Sequence, residues 1–323
     1  METYIISNDY LKVSIIEYGA RIQSLLVKKD NKWIDVVLGY DTLEGYQNDK
    51  DTYFGAVVGR VANRIENGTF VLNGKRYHVA INNNTNHLHG GKEGFDQKNF
   101  KISSIDKTSI KLSLVSDDNE ENYPGNLSLE VTYKLIDNRL VISYDAISDK
   151  DTLCNITNHS YFNLNGYSGK NILNHQVKLN ASFYTPIKEN LIPTGKIESV
   201  LNSPFDFTKQ KSIKEAFDFN NAQIKYAKGI DHNFVLDSED AGYVIGDISN
   251  IKMQVKTTYP GMQFYTGNYL NIKNGKNNAS YLENFGFCLE TQLFPNAINQ
   301  SNFKSSILKA NTTYHYETEY IFS

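Results

Sequence analysis

Hydrophobic and polar residues alternate with a period of two over much of this chain. The clearest case is residues 127–135, where Leu, Val and Tyr occupy every second position and Ser, Glu, Thr and Lys lie between them. Alternate side chains of an extended strand point to opposite faces, so the pattern predicts a strand with one buried face. After Asp137 and Asn138 a second apolar run, residues 140–144, predicts the other strand of a hairpin.

A sharper hairpin signal lies at the dipeptide Asn73-Gly74. It separates two β-prone runs, residues 69–72 and residues 75–79. Asn-Gly between two such runs is the strongest short-range hairpin signal, because both residues accept the positive φ of a tight turn. We therefore predict a two-residue turn at this point.

Many short strands joined by regular turns indicate an all-β protein. Helical signals are few, and residues 211–217 are expected to make about two helical turns. The sequence has no internal repeat and no Pro-, Gly- or Ser-rich linker that would divide it. We predict one domain over residues 1–323, folded as a single large antiparallel sandwich or barrel.

Charge and composition exclude several classes of protein. The net charge is -3 and the pI is about 6.2, so no basic surface for nucleic acid is expected. No segment approaches the ~20 apolar residues of a membrane span, and the N-terminus does not read as a signal peptide. Cys154 and Cys288 are too few for a disulfide framework. The expectation is a soluble cytoplasmic protein.

Three polar clusters carry the candidate chemistry. His159 lies among Asn, Ser, Thr and Tyr in residues 155–164, and its ring can be neutral or protonated near pH 7. His89 precedes a Gly-Gly pair, and Glu290 lies in residues 287–292. Converging on one pocket, the three side chains could act as acid, orienter and base. The alternative for each histidine is a structural one in a polar network.

Glu290 is unusual because it lies inside an apolar strand pattern. Glu is rarely buried without a partner or a role, and burial would raise its pKa toward that of a useful base. Cys288 lies two residues earlier, on the same face of a regular strand. We interpret Cys288 as a small packing residue, because no neighbouring base would activate its thiol.

Other side chains are suited to sugar hydroxyls. Arg60 and Arg64 flank small and apolar residues, and a guanidinium donates well to hydroxyl oxygens, although composition alone favours surface salt bridges for both. Asp231 enters a predicted strand and could bind hydroxyls or be a turn residue. Gln263 lies in residues 259–268, an aromatic segment that would suit either a pyranose face or a core strand.

A metal site is the competing interpretation of one cluster. His87, His89 and Glu93 have the spacing found at the core of cupin metal sites, and cupins are also β-sandwiches. The flanking glycines of that pattern are missing, and no second histidine motif follows. We therefore expect no metal.

Taken together, the segments resemble the aldose 1-epimerase family. The matching pieces occur in the family's order and span nearly the whole chain, which makes the combination specific. They are residues 59–65, 88–91, 94–96, 157–164, 231–234, 259–268 and 289–292. The resemblance implies a large antiparallel β-supersandwich with an open sugar cleft, and cofactor-free interconversion of the α and β anomers of free aldoses such as galactose and glucose.

On the matching positions, the resemblance implies a role for each residue. Glu290 would be the general base at the anomeric hydroxyl, and His159 the general acid at the ring oxygen. His89, Arg64 and Asp231 would hold the sugar, and Asn63 and Gln263 would support them. The implied partner is a small aldose, bound by a monomer or homodimer, with no nucleic acid or membrane involved.

Elementary chemistry agrees with this assignment. Ring opening needs a proton removed at O1 and one delivered at O5, so an acid and a base must flank the anomeric carbon. An ionised Glu290 near His159 would raise the histidine pKa and keep the ring protonated near pH 7.

Three positions depart from the family pattern. Phe100 stands where Trp is frequent, Asn296 where Asp is usual, and residues 309–312 lack a common Pro-Gly. The rival functions are a hexose-6-phosphate epimerase, a glycosidase or lyase using Asp231 and Glu290, and a non-catalytic sugar-binding protein.

Overall fold

The computed structural model describes residues 2–323. Nearly all of its regular structure is extended. The strands are β1 (Tyr4–Ser7), β2 (Leu11–Ile16), β3 (Arg21–Lys29), β4 (Lys32–Asp35), β5 (Val57–Val58), β6 (Arg64–Ile65), β7 (Thr69–Leu72), β8 (Lys75–His78), β9 (His87–Leu88), β10 (Lys101–Ile105), β11 (Ser109–Ser116), β12 (Leu127–Ile136), β13 (Arg139–Ser148), β14 (Thr152–Leu153), β15 (Thr157–Asn158), β16 (Gln176–Leu179), β17 (Phe183–Thr185), β18 (Glu198–Ser199), β19 (Lys211–Ser212), β20 (Asp231–Val235), β21 (Asp240–Ile245), β22 (Lys252–Thr257), β23 (Gly261–Tyr265), β24 (Cys288–Gln292), β25 (Ile307–Leu308) and β26 (Thr313–Phe322). The α-helices are α1 (Leu43–Asn48) and α2 (Ala222–Ala227).

Three antiparallel sheets form the body of the molecule. Sheet A has the strand order β1-β2-β3-β4, and sheet B the order β10-β11-β12-β13-β26-β22-β21-β16-β19. Sheet C has the order β18-β17-β20-β23-β24. The main hydrophobic core contains buried side chains from all three sheets, among them Val13, Val131 and Phe264. The predicted all-β antiparallel sandwich is therefore confirmed.

Both predicted hairpins are present. In β7 and β8 the turn is formed by Asn73 and Gly74, whose φ angles are 50° and 78°. Positive φ at both positions is the geometry that the dipeptide favours. Strands β12 and β13 pair along their whole length, and the apolar positions from Leu127 to Leu135 are buried.

The prediction of a helix at residues 211–217 is wrong. Lys211 and Ser212 form β19, and only a short 3₁₀ turn follows, Ile213–Ala216. Ser212 and Glu215 make a capping box at its start, which is the helix-like signal in the sequence. Phe217 then leaves the helical region (ψ 60°) and packs partly buried against the core, so the turn does not continue.

No helix within residues 2–323 is long and apolar enough to cross a membrane.

A buried ion pair joins sheet A to the loop between β23 and β24. The Nζ of Lys276 donates to Asp35 Oδ2 at 2.8 Å and to the carbonyl of Val37 at 2.8 Å. The two charged side chains are only 5% and 8% exposed, so neither is well solvated. Asp35 also accepts from Ser24 and from the backbone of Leu25, which holds the carboxylate in place.

Lys276→Met should destabilise the protein by about 3 kcal/mol, because it leaves the Asp35 carboxylate buried without its counter-ion. The value lies at the lower end for such pairs, since the other donors to Asp35 remain. Lys309→Met is the matched control: Lys309 also pairs with an aspartate but is 60% exposed, so its loss should cost less than about 1 kcal/mol. Urea denaturation measures both, and equal effects would contradict the assigned role of Lys276.

Candidate active site

One cleft brings the predicted site residues together. Its volume is about 370 Å³, and sheet C supplies part of its wall. The predicted residues that line it are Asn63, Arg64, His89, His159, Asp231 and Glu290. Gln263 is not among the residues that line the cleft, but it donates a 2.7 Å hydrogen bond to Asp231 Oδ1 from the same face of sheet C.

The pleat of sheet C explains how its side chains reach one surface. In the antiparallel register Gln263 lies opposite Glu290, and Tyr265 lies opposite both Asp231 and Cys288. Directly opposed residues share a face, and alternate residues along a strand return to it. The opposite face carries core side chains from the same strands, namely Phe234, Met262, Phe264 and Leu289.

Glu290 presents an unsatisfied carboxyl group. The residue is 2% exposed, and its Oε1 lies 3.6 Å from Nε2 of His159. Its Oε2 has no hydrogen-bond partner among residues 2–323. Burial and, secondarily, the charge of Asp231 raise the pKa of this carboxyl well above its usual value, while Arg64 acts in the opposite direction. A buried oxygen without a donor calls for an explanation, such as a water or a ligand that supplies the missing hydrogen bond.

His159 is fixed by backbone pairing with a distant segment. Its N–H donates to the carbonyl of Ala56 at 2.8 Å, and its own carbonyl accepts from Gly55 at 3.0 Å. Its ring packs against the rings of Tyr53 and Tyr161, at centroid distances of 5.7 and 5.1 Å. Sequence alone could not predict this position, because the pairing joins residues about a hundred positions apart.

The expected protonation of His159 requires correction. Burial lowers the pKa of this imidazole to about 4, rather than the neighbouring carboxyl raising it. Desolvation outweighs the attraction because Glu290 is also buried and is itself biased toward its uncharged form. Burial therefore favours a protonated Glu290 carboxyl beside a neutral His159 imidazole. This neutral pair and the carboxylate–imidazolium ion pair hold the same number of protons and differ only in where one proton lies.

His89 is held in one tautomer. Its Nδ1 accepts a 3.2 Å hydrogen bond from the backbone N–H of Asn63. Burial, and then the proximity of His159 and Arg64, lower the pKa of His89 well below its usual value. A neutral imidazole that accepts at Nδ1 carries its proton on Nε2. His89 therefore offers an N–H donor at Nε2.

Arg64 and Asp231 are a second pair of ionisable side chains that line the cleft. Arg64 donates from Nε to Asn83 at 3.1 Å, and its Nη1 lies 4.0 Å from Asp231 Oδ2. Burial raises the pKa of Asp231, while Arg64 and then Gln263 lower it. The guanidinium is 10% exposed, so the surface salt bridge that composition favoured is wrong for Arg64.

Two other buried arginines bind backbone carbonyls outside the cleft. Arg60 is 2% exposed and donates to the backbone carbonyls of Pro124 and Gly125, so it is neither a surface residue nor part of the cleft. Arg21 donates to the carbonyls of Phe54 and Asp96, each at 2.9 Å. Because Phe54 adjoins the Tyr53 that packs on His159, Arg21 holds that segment in place.

Several cleft residues carried no signal in the sequence. Tyr53 packs on both His89 and His159 and has a φ of 56°, which is unusual for an aromatic residue. Asn83, Leu191 and Tyr269 also line the cleft. They lie in loops without periodicity, and an aromatic-rich chain gives no reason to single out one tyrosine.

Known proteins resemble this chain over its whole length. The family model described as aldose 1-epimerase matches residues 2–321. A galactose mutarotase from Bos taurus is 44% identical over 329 residues, covering 100% of this chain and 94% of the relative. An aldose 1-epimerase from Escherichia coli (strain K12) is 33% identical over 325 residues, covering 98% of this chain and 93% of that protein. The chain belongs to the aldose 1-epimerase family.

Solved structures agree with this assignment. An aldose epimerase homologue from C. elegans has a TM-score of 0.94 at 29% identity, covering 100% of this chain and 98% of that one. A galactose 1-epimerase from Lactobacillus acidophilus has a TM-score of 0.87 at 28% identity, covering 99% and 94% of the two chains. This aldose 1-epimerase family member is an isomerase with mutarotase function.

The donor atoms of the cleft do not suit a metal ion. Potential ligand atoms of His89, His159 and Glu290 lie within 4.8 Å of one another. However, the His89 nitrogen that is free of Asn63 carries a proton and has no lone pair to offer. The cupin-like alternative also fails: His87 binds Ala80 and Tyr123 through its two ring nitrogens, and Glu93 is 76% exposed.

Glu290→Gln should stabilise the folded protein at neutral and alkaline pH. A carboxyl whose folded pKa is raised contributes its full stability below its unfolded pKa of about 4.3 and loses it as the pH rises through the folded pKa. The amide does not ionise, so its advantage should grow above pH ~4.5 to about 1 kcal/mol or more. Denaturant titrations at pH 4 and pH 8 measure the difference, and a pH-independent difference would contradict the raised pKa.

Removal of divalent metals should leave the enzyme active, because the tautomer of His89 withholds one of the ligands. Polarimetric rates are compared before and after dialysis against EDTA, with zinc added back as a third condition. A rate that falls on dialysis and returns with zinc would contradict this reading of the cleft.

Proposed function

We propose that this enzyme interconverts the α and β anomers of free hexoses such as D-galactose and D-glucose. The observation that carries the proposal is the facing pair, Glu290 Oε1 and His159 Nε2 at 3.6 Å, in a cleft where Glu290 Oε2 lacks a partner among the described residues. Mutarotation requires one proton to leave O1 and one to reach O5, and this pair supplies an acceptor and a donor at one place.

In the proposed reaction, the Glu290 carboxylate takes the proton from the anomeric hydroxyl. The C1–O5 bond breaks as O1 becomes the aldehyde oxygen, and O5 takes a proton from the His159 imidazolium. Rotation about C1–C2 turns the other face of the aldehyde toward O5, and ring closure reverses both transfers. Because burial favours the proton on Glu290, it must pass to His159 when substrate binds, across the 3.6 Å contact.

The remaining predicted residues would hold the sugar. His89 donates through Nε2, Arg64 donates through its guanidinium, and Asp231 accepts from hydroxyl groups. Gln263 holds the Asp231 carboxylate, and Asn63 fixes the tautomer of His89. Each has a polar group directed by another hydrogen bond, which is the arrangement expected of a pre-organised site.

The charge of the cleft supports a neutral substrate over a hexose 6-phosphate. Among the described residues that line it, Arg64 is the one Lys or Arg, and it faces the Asp231 carboxylate. A phosphate dianion would need additional cations or backbone donors. The glycosidase alternative needs no His159, so it leaves the contact between His159 and Glu290 without a purpose, and a non-catalytic sugar-binding role leaves both groups without one.

Other features of the chain bear on its domain organisation, oligomeric state and location. We propose that residues 1–323 act as one domain, as a monomer or homodimer in the cytoplasm. Both cysteines are free and buried, as is usual for reducing compartments. The net charge of -3 gives no basic surface for nucleic acid.

Polarimetry of freshly dissolved α-D-galactose and α-D-glucose tests the substrate class. The enzyme should speed relaxation to the same final rotation, and the two rates rank the sugars. If neither free sugar responds while a hexose 6-phosphate does, the proposed substrate is wrong.

His159→Asn and Glu290→Gln should each lower kcat by about two orders of magnitude or more, because each removes one of the two proton transfers, while sugar binding persists. His315→Asn is the control: this histidine is exposed and pairs with Asp145 on sheet B, so its loss should leave the rate unchanged. Near wild-type activity in either cleft variant would overturn the acid–base assignment.

A further inference from the structure

The ring of Tyr53 packs on both cleft histidines and is itself partly exposed. Its centroid lies 4.7 Å from that of His89 and 5.7 Å from that of His159. Tyr161 also packs on His159, but Tyr161 and both histidines are buried. Tyr53 lines the cleft and is exposed to an intermediate degree. Of these aromatic rings, Tyr53 is therefore the one that stands between the histidines and the solvent in the open cleft.

The residues that follow Tyr53 are firmly held. Phe54 is buried, and its carbonyl accepts a 2.9 Å hydrogen bond from the guanidinium of Arg21. Gly55 donates its N–H to the carbonyl of His159 at 3.0 Å, so the segment is tied to the same residue on which the tyrosine ring packs. These contacts hold Tyr53 at its unfavourable φ of 56° and keep its ring on the histidines.

We infer that Tyr53 is a positioning residue whose ring excludes water from the pair formed by His159 and Glu290, so that the pair retains its shared proton over a wide range of pH. This inference rests on the proposed role of the pair in proton transfer and deepens it. It concerns the state of the enzyme before the sugar binds.

The physical reason lies in the net charge of the pair. With the shared proton present, the pair is neutral overall, whether that proton lies on Glu290 or on His159. A second proton gives the pair a net positive charge, and loss of the shared proton gives it a net negative one. Burial penalises both of these charged states. Exclusion of water therefore delays protonation on the acidic side and deprotonation on the alkaline side.

The pKa directions at the site agree with this argument. Burial lowers the pKa of His159 to about 4 and raises the pKa of Glu290 well above its usual value. Burial also raises the pKa of the Tyr53 phenol, so the ring shields the pair without adding a charge. All other ionisable groups around the pair remain when Tyr53 is replaced; they are Cys288, Tyr161, His89, Asp231, Arg64 and Arg21.

The first test is the pH dependence of kcat/KM, which reports the ionisations of the free enzyme. Tyr53→Ala should narrow the profile from both sides, because water then reaches the pair. The acidic limb should move to higher pH and the alkaline limb to lower pH, each by about one unit. Tyr53→Asn also removes the ring, and asparagine accepts a positive φ at low cost, so this variant should show the same narrowing without disturbing the backbone.

Two further variants serve as controls. Tyr53→Phe keeps the ring and loses only the hydroxyl, so both limbs should stay at their wild-type positions. Tyr243→Ala removes another partly exposed tyrosine, which lies on β21 of sheet B and does not line the cleft. Its limbs should also match those of the wild type.

NMR titration of His159 supplies a readout that does not need turnover. The ring signals of histidine shift on protonation, and the His159→Asn spectrum identifies those of His159. The wild type should titrate near the lowered pKa of about 4, and the two ringless variants about one unit higher. Tyr53→Phe should titrate like the wild type.

The outcomes separate this inference from the proposed function. Unchanged limbs and an unchanged His159 titration in the ringless variants would overturn the role of Tyr53 and leave the proposed function intact. An equally large change in Tyr53→Phe would assign the effect to the hydroxyl and would also overturn it. A wild type that is inactive on free hexoses would overturn the proposed function, and the NMR titration would still test the ring.

Discussion

The main physical constraint on this structure is the free-energy cost of burying the carboxyl group of Glu290. Glu290 is almost fully buried, in a strand whose residues are all buried, and one of its oxygens has no partner among residues 2–323. Such a group destabilises the folded state, so the surrounding structure must be rigid enough to hold it in place. Sheet C provides that rigidity, because backbone hydrogen bonds on both sides of β23 hold the polar face together. The apolar face of the same strands anchors the sheet in the main core.

The same burial determines how the cleft can handle protons. Removing water favours uncharged forms of both Glu290 and His159, and it strengthens the interaction of each with a polar ligand. A sugar hydroxyl that donates to Glu290 favours the carboxylate, and a ring oxygen that accepts from His159 favours the imidazolium. In the proposed reaction, binding therefore moves the pair from its resting state to its reactive one, so charge develops only when a substrate is present to use it.

Much of the fold could be predicted from the sequence, because period-two alternation and turn chemistry are local. The β7–β8 turn needed only Asn73 and Gly74, and the buried face of β12 needed only its own residues. The predicted helix at residues 211–217 failed although its capping box is real, because a local start signal does not determine how far a helix continues. The turn ends at Phe217, which packs against the core.

The candidate site could likewise be predicted only in part from the sequence. Side chains with unusual chemistry, such as Glu290 in an apolar strand, were visible in the sequence, and their order along the chain supported the family resemblance. Contacts between distant segments could not be predicted from the sequence. Arg60 binds backbone carbonyls, and Tyr53 packs on His159. The lowered pKa of His159 could not be predicted either. Each of these depends on burial, which arises only when the sheets assemble.

Strain at the cleft supports the view that its geometry is maintained against local preference. Tyr53, Asn63 and His89 all have φ between 51° and 61°, a conformation that costs a non-glycine residue about 1 kcal/mol or more. Asn63 and His89 hold each other there, since the backbone N–H of Asn63 bonds the His89 ring and the His89 N–H bonds the Asn63 carbonyl. If the strained backbone relaxed, His89 would lose its fixed tautomer and its Nε2 donor would no longer be directed. In the proposed reaction, this strain is the cost of presenting a neutral, correctly oriented imidazole to an uncharged sugar.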